Sequence, residues 1–135
     1  MSSHAFDEHR SEVLLRIEGE SLGALFEEAA HALCELTAGN VHAPGDASPV
    51  RVELRAKDLD ALFADWLNEL IYLSETRKEV FPEVHVDRIT HREIVARASG
   101  VEPSVIRTPV KAATMHDLHV RVEDSRWKAA IVLDV

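Results

Sequence analysis

Cysteine is nearly missing from this chain: Cys34 stands alone among 135 residues. One cysteine excludes an internal disulfide and leads us to expect a reducing compartment, the cytoplasm. It lies beside Leu33 in a helical pattern, which favours a small buried hydrophobe over a reactive thiol. No apolar run approaches the ~18 residues of a membrane-spanning helix, so no membrane association is expected. The start, MSSHAFDEHR, has no basic segment followed by an apolar one, and no secretory signal is expected. Positive charge is also scarce. Fifteen Lys and Arg face 24 Asp and Glu, a net charge of −9. Phosphate backbones are gripped by clustered cations, so strong direct nucleic-acid binding is not expected. An acidic surface suits solubility, cation binding or docking to a basic protein. Gly-rich phosphate loops, GxSxG, HExxH and CxxC are all absent, which removes the strong enzyme signatures.

What is present is the ordinary make-up of a globular domain, 46% hydrophobic and 29% charged, and its length suits one domain over residues 1–135. The clearest signal is Asp58–Glu79. Leu59, Leu62, Phe63, Trp66, Leu67, Leu70, Ile71 and Leu73 recur at helical spacing and form a wide apolar stripe. Asp58 is placed to cap the first turn, and Arg77 and Lys78 suit the negative end of the helix dipole. The acids Asp60, Asp65 and Glu69 read as its solvated face. A second helix is expected from Ser21 to about Ala38. Its stripe runs through Leu22, Leu25, Phe26, Ala29, Ala30, Leu33 and Leu36, with Glu27, Glu28, His31 and Glu35 facing away.

Strands are expected at Phe6–His9, Val13–Gly19, Val50–Lys57, Val84–Ile89 and Ile94–Ala98. Gly39–Pro49 and Glu102–Pro109 read as loops. Pro109–Glu123 and Arg126–Val135 read as an antiparallel hairpin turning at Asp124-Ser125. Laid over one another, Ser21–Leu36 and Asp58–Leu73 share leucines, alanines and a Leu-x-Ala-Leu-Phe core, and Ile17 of the earlier strand falls on Leu54. This is a β-α pseudo-repeat whose two units are expected side by side on one sheet. The fold class is α+β: a two-layer arrangement of two amphipathic helices on a mainly antiparallel or mixed sheet.

Chemistry-bearing residues are few. The eight histidines do not show metal-ligand spacing. His116 and His119 would point to opposite faces of a strand. His85 and His91 would be about 20 Å apart along extended chain. Carboxylates are more suggestive. Asp134 closes an apolar strand next to the carboxylate of Val135, and Glu12 lies on an early strand that could meet it. Such donors suit a hard cation, while solvated acids near a chain end are the plainer alternative. Lys111, in an apolar segment after Pro109, reads either as an edge-strand lysine or as a partner for an anion or carboxylate.

Several segments, in order, resemble the archease family: FDEH, GESLGALFEEAAHAL, DLDALFADWLNELIYL, VKAATMHDLHV and AAIVLDV. The resemblance spans nearly the whole chain. It implies a small, non-catalytic protein cofactor of the GTP-dependent RNA ligase of tRNA splicing, which promotes ligase guanylylation and multiple turnover. It also implies a divalent cation, Ca²⁺ ahead of Mg²⁺ or Mn²⁺. By the same resemblance Asp134 and Val135 match the family's final pair, Lys111 the lysine of its V-K-A-x-T element, and Glu8-His9-Arg10-Ser11-Glu12 its E-H-T-A-D pattern. The expected metal set is then Glu12, Asp134 and Val135, with Lys111 and His9 serving ligase activation. Glu12 departs from the family's aspartate by one methylene, and Arg10 adds a cation nearby. Against this stand two other classes: a stand-alone metal-dependent phosphoesterase and a chaperone-like interaction module.

Overall fold

A computed structural model describes residues 1–9 and 11–135, apart from the side chain of His9. The order is β1 (Ser3–His9), β2 (Glu12–Gly19), α1 (Leu22–Ala38), β3 (Val50–Arg55), α2 (Leu59–Arg77), β4 (Val80–Ile89), β5 (Glu93–Val101), β6 (Ala112–Thr114), β7 (Arg121–Glu123) and β8 (Arg126–Asp134). The caps follow from the sequence. Ser21 accepts from the Ala24 amide and Asp58 from the Ala61 amide, at 3.1 and 2.8 Å.

The α+β class and the helix pair are as expected, but the strands divide into two antiparallel sheets. One runs β1-β2-β8-β6, with β7 also paired to β8; the other runs β3-β5-β4. The two halves of the pseudo-repeat therefore part company: β2, before α1, lies in the first sheet, and β3, before α2, in the second. Local pattern sets each strand's inner face. Its neighbours are chosen by the long-range partners β8 and β5, which a repeat of β-α units does not encode.

One core joins both sheets. Val13, Leu15, Ile17, Ala129, Ile131 and Leu133 of the first sheet meet Val52, Ile94, Ala96 and Ala98 of the second, with the helices packed among them. Trp66 is fully buried, and its indole N–H donates to the Phe26 carbonyl of α1 at 2.9 Å. Phe26 meets Phe63 edge to face, with ring centroids 5.1 Å apart. Cys34 is buried as expected, and loss of hydration pushes its thiol up to about 11. Little thiolate exists below that value, about one part in a thousand at pH 8. A thiol reagent should therefore label Cys34 in the unfolded chain and leave the native chain essentially unlabelled over the same period. Fast native labelling, followed by mass, would contradict the burial.

Three further expectations are corrected. Strand β4 starts at Val80, so Pro82 lies inside it. The proline is accommodated because β4 is an edge strand whose register shifts between Val80 and Glu83. Pro109–Glu123 is not one strand. β6 and β7 both pair with β8, yet Ala112 opposes Asp134 while Arg121 opposes Lys128, so the two pairings are out of step. The surplus residues leave the ladder around Asp117, which has φ 55°. This also removes the premise for His116 and His119, which are not on a strand. The hairpin turn at Asp124-Ser125 is as expected; φ of 53° and 62° gives it the primed geometry that matches strand twist.

The acids assigned to solvent also do more. Asp60 accepts from the Val120 amide and Glu27 from the Val86 amide, each at 2.8 Å. Both bonds need segments far away in the sequence, so helical periodicity carries no trace of them.

Candidate functional site

Strand β8 runs through the middle of the larger sheet, and its last residues gather the candidate groups. Asp134 opposes Glu12 of β2 on one side and Ala112 of β6 on the other. Glu12 in turn opposes His9 of β1. Four strands thus place His9, Glu12, Asp134 and Ala112 in one row across the sheet. The His9 and Arg10 side chains lie outside the described residues.

The Val135 amide donates to the Ser11 carbonyl at 2.9 Å. The next pair along, Glu12 and Asp134, is then a non-hydrogen-bonded pair, the kind whose Cα atoms approach to about 4.5 Å and whose side chains stand closest. Their neighbours Val13 and Leu133 point into the core. By alternation the two carboxylates share the opposite face. Glu12 is exposed and Asp134 half-buried. Like charges directly opposite on adjacent strands repel and destabilise the pair.

Lys111 reaches the row through its backbone. Its amide donates to the Asp134 carbonyl at 2.8 Å, while Ala112 is the register partner of Asp134. Two residues thus face one, the count of a β-bulge, a device that re-aims side chains at sheet edges. The Lys111 side chain is exposed and borders a cleft of about 590 Å³ formed with Ile71, Ser74, Lys78, Glu102 and Ile106.

The bulged strand is held from behind by a residue that periodicity did not single out. Asn68 of α2 accepts from the Ala113 amide at 2.8 Å and donates to the Ala113 carbonyl at 2.9 Å. Its amide satisfies the free edge of β6 as a neighbouring strand would. The only sequence signal was an uncharged polar residue interrupting the α2 stripe. Asn68→Ala would leave two backbone groups unpaired, at about 1–3 kcal/mol for each that stays dry. Denaturant unfolding should show a loss of about 2–4 kcal/mol with an unchanged slope. A loss under half a kcal/mol would mean water takes over both bonds.

Among the described residues, no trio of His, Cys, Asp or Glu side chains surrounds an ion position. Glu12 and Asp134 supply two hard oxygen donors, and Val135 follows at the end of β8. As donor chemistry this fits Ca²⁺, which takes carboxylate oxygens in flexible geometry; Mg²⁺ tolerates the longer Glu12 less well. On the smaller sheet, hydrogen bonds from Arg97, at 2.9–3.2 Å, hold the Asp87 carboxyl below its usual range.

The model of the Archease protein family (MTH1598/TM1083) matches residues 4–135. The chain is 32% identical to protein archease of Methanosarcina mazei, over 95% of this chain and 92% of that one. It is 31% identical to protein archease of Methanopyrus kandleri, over 95% and 96%. Among solved structures, the solution structure of Methanobacterium thermoautotrophicum protein 1598 superposes with a TM-score of 0.76 at 28% identity, covering 98% of both chains. A Thermotoga maritima crystal structure, described as that of an archease and possible chaperone, shares the fold with a TM-score of 0.65 at 21% identity, over 96% and 94%.

Proposed function

The chain belongs to the archease family, and from that premise we propose that it is a non-catalytic protein cofactor of a GTP-dependent RNA ligase. In this reading it binds a divalent cation and raises the guanylylation and multiple turnover of the ligase in tRNA splicing or RNA repair. The observation that best supports it is the pairing of Glu12 with Asp134 at the head of the sheet. Two carboxylates on neighbouring rigid strands, in the pair type that brings side chains closest, are a costly arrangement without a counter-charge. A cation relieves that cost.

Glu12, Asp134 and Val135 would hold the ion, Ca²⁺ first and Mg²⁺ or Mn²⁺ as alternatives. The ion would supply a concentrated positive charge where the ligase handles nucleotide phosphates. The residues of this chain do the placing. Strand β8, paired on both sides, fixes Asp134, and Asn68 fixes the β6 segment that carries Lys111. Lys111 would offer a mobile ammonium to a phosphate or to a ligase carboxylate. His9, whose backbone opposes Glu12, would lie in the same contact area. Among the described residues no helix is long and apolar enough to cross a membrane, and the acidic balance suits docking to a protein better than gripping RNA.

The test mixes purified chain, cognate ligase, GTP and Ca²⁺, and follows covalent guanylate on the ligase and the number of joined RNA ends per ligase. A rise in both is expected. No gain with a cognate ligase rejects the proposal. Phosphoester turnover by the chain alone would favour the phosphoesterase. Suppression of client aggregation that persists in Asp134→Asn would favour the chaperone-like module.

A further inference from the structure

A second group of ligand-type side chains gathers where β1 packs on α1. His4 pairs with Ile17, at the opposite end of the β1–β2 ladder from Glu12, so this group is separate from the carboxylate pair. The His4 side chain is only 13% exposed. Its Nδ1 lies 2.5 Å from Oε2 of Glu28, and its Nε2 lies 3.2 Å from Oε2 of Glu35. That same Glu35 oxygen is 3.9 Å from Nε2 of His31. The two imidazole rings meet edge to face with centroids 6.0 Å apart. Glu28, His31 and Glu35 fall at i, i+3 and i+7 of α1, which places them on one side of the helix, turned toward β1.

We infer that His4, His31 and Glu35 form a zinc-binding site, with Glu28 positioning His4 from behind. Two imidazole nitrogens and one carboxylate oxygen are a donor set that Zn²⁺ takes with a fourth position left to solvent. Bonds of 2.0–2.1 Å in tetrahedral array put neighbouring donors about 3.3 Å apart. The His4–Glu35 spacing of 3.2 Å already meets this, and the His31–Glu35 spacing of 3.9 Å is slightly wide. Glu28 supplies what a metal-bound histidine needs on its other nitrogen. A carboxylate accepting from Nδ1–H fixes the tautomer and turns the Nε2 lone pair toward the metal.

As they stand, the side chains are not closed around an ion. The widest printed spacing is between His31 and Glu35, whose side chains are 54% and 45% exposed. Binding would draw these two exposed side chains in by rotation about their own bonds. The other half, His4 with Glu28, is already held. Hard-oxygen cations are not the match, because imidazole nitrogen is a borderline donor. The bound ion clamps β1, an edge strand, onto α1.

The experiment uses the full chain stripped of metal, with Zn²⁺ alone as the probe, competed against a chromophoric chelator and followed by thermal melting. One Zn²⁺ per chain is expected, with a higher Tm on addition. His31→Ala and Glu35→Gln, both on the exposed side of α1, should each weaken Zn²⁺ binding at least tenfold and abolish the Tm rise. Glu28→Gln should weaken it by about 10–100-fold, the range for outer partners of a ligand. Asp134→Asn should bind Zn²⁺ unchanged, which keeps this result independent of the family site. Circular dichroism checks that each variant folds. No binding by the parent chain at about 100 µM Zn²⁺ overturns the inference. So does parental affinity in both His31→Ala and Glu35→Gln. Either outcome leaves His4 as a hydrogen-bond partner of Glu28 with Glu35 close by.

Discussion

Asp134→Asn should fold like the parent and bind Ca²⁺ at least tenfold more weakly, a loss of at least about 1.4 kcal/mol. Asparagine keeps the shape of the side chain and removes one of the carboxylate charges that would draw the ion. The core side of β8 is untouched, because Leu133 and Ile131 carry the burial and Asp134 faces away from them. Without metal the variant should be slightly more stable than the parent. Relief of a like-charge cross-strand pair is worth about 0.2–1 kcal/mol. The opposite signs are the useful feature: a general folding defect would lower both stability and affinity. Gain in ligase guanylylation should fall toward the level of ligase alone. Calorimetry showing parental Ca²⁺ affinity in Asp134→Asn would sink the metal assignment, whatever the ligase assay gives. Glu12→Asp, which shortens the acid by one methylene, should improve Mg²⁺ relative to Ca²⁺, since Mg²⁺ is stricter about geometry.

The largest stability effect is expected at Trp66→Ala, a loss of about 3–5 kcal/mol. Trp66 is the largest of the fully enclosed side chains and sits where α2 meets α1. Its removal empties space that Phe26 and Phe63 cannot refill without abandoning their edge-to-face contact. Few domains hold more than 5–15 kcal/mol in total, so the variant should melt far earlier or fail to accumulate. Trp66→Phe should lose less. It keeps most of the apolar volume, and the orphaned Phe26 carbonyl lies within α1, where an amide one turn on can satisfy it. A Trp66→Ala loss below 1 kcal/mol in reversible denaturant unfolding would mean that the two helices do not depend on this contact.

Individual elements were legible because their cause is local. Ser21 and Asp58 cap helices by bonding amides three residues on. Val13, Leu15 and Ile17 alternate because a strand shows every second side chain to one face. Asp124-Ser125 turns a hairpin where two strand patterns meet. The candidate site was legible in another way. Glu12, Lys111 and Asp134 were named through ordered segments resembling a family, and the strand register then brought their backbones together at one end of β8. Asn68, Asp60 and Glu27 were not legible as fasteners. Each bonds a backbone amide 45–60 residues away, and no periodicity records the identity of such a partner.

Local pattern alone was enough for two capped amphipathic helices, their apolar stripes, the inner face of most strands and an acidic surface poor in phosphate-gripping cations. Those traits depend on side chains within a turn or two of one another. Tertiary structure alone decided that the strands form two sheets, that β8 sits between β2 and β6, and that Glu12 and Asp134 face each other. Those traits depend on which distant edge a strand's free N–H and C=O groups find, a choice settled by the shape of the whole core.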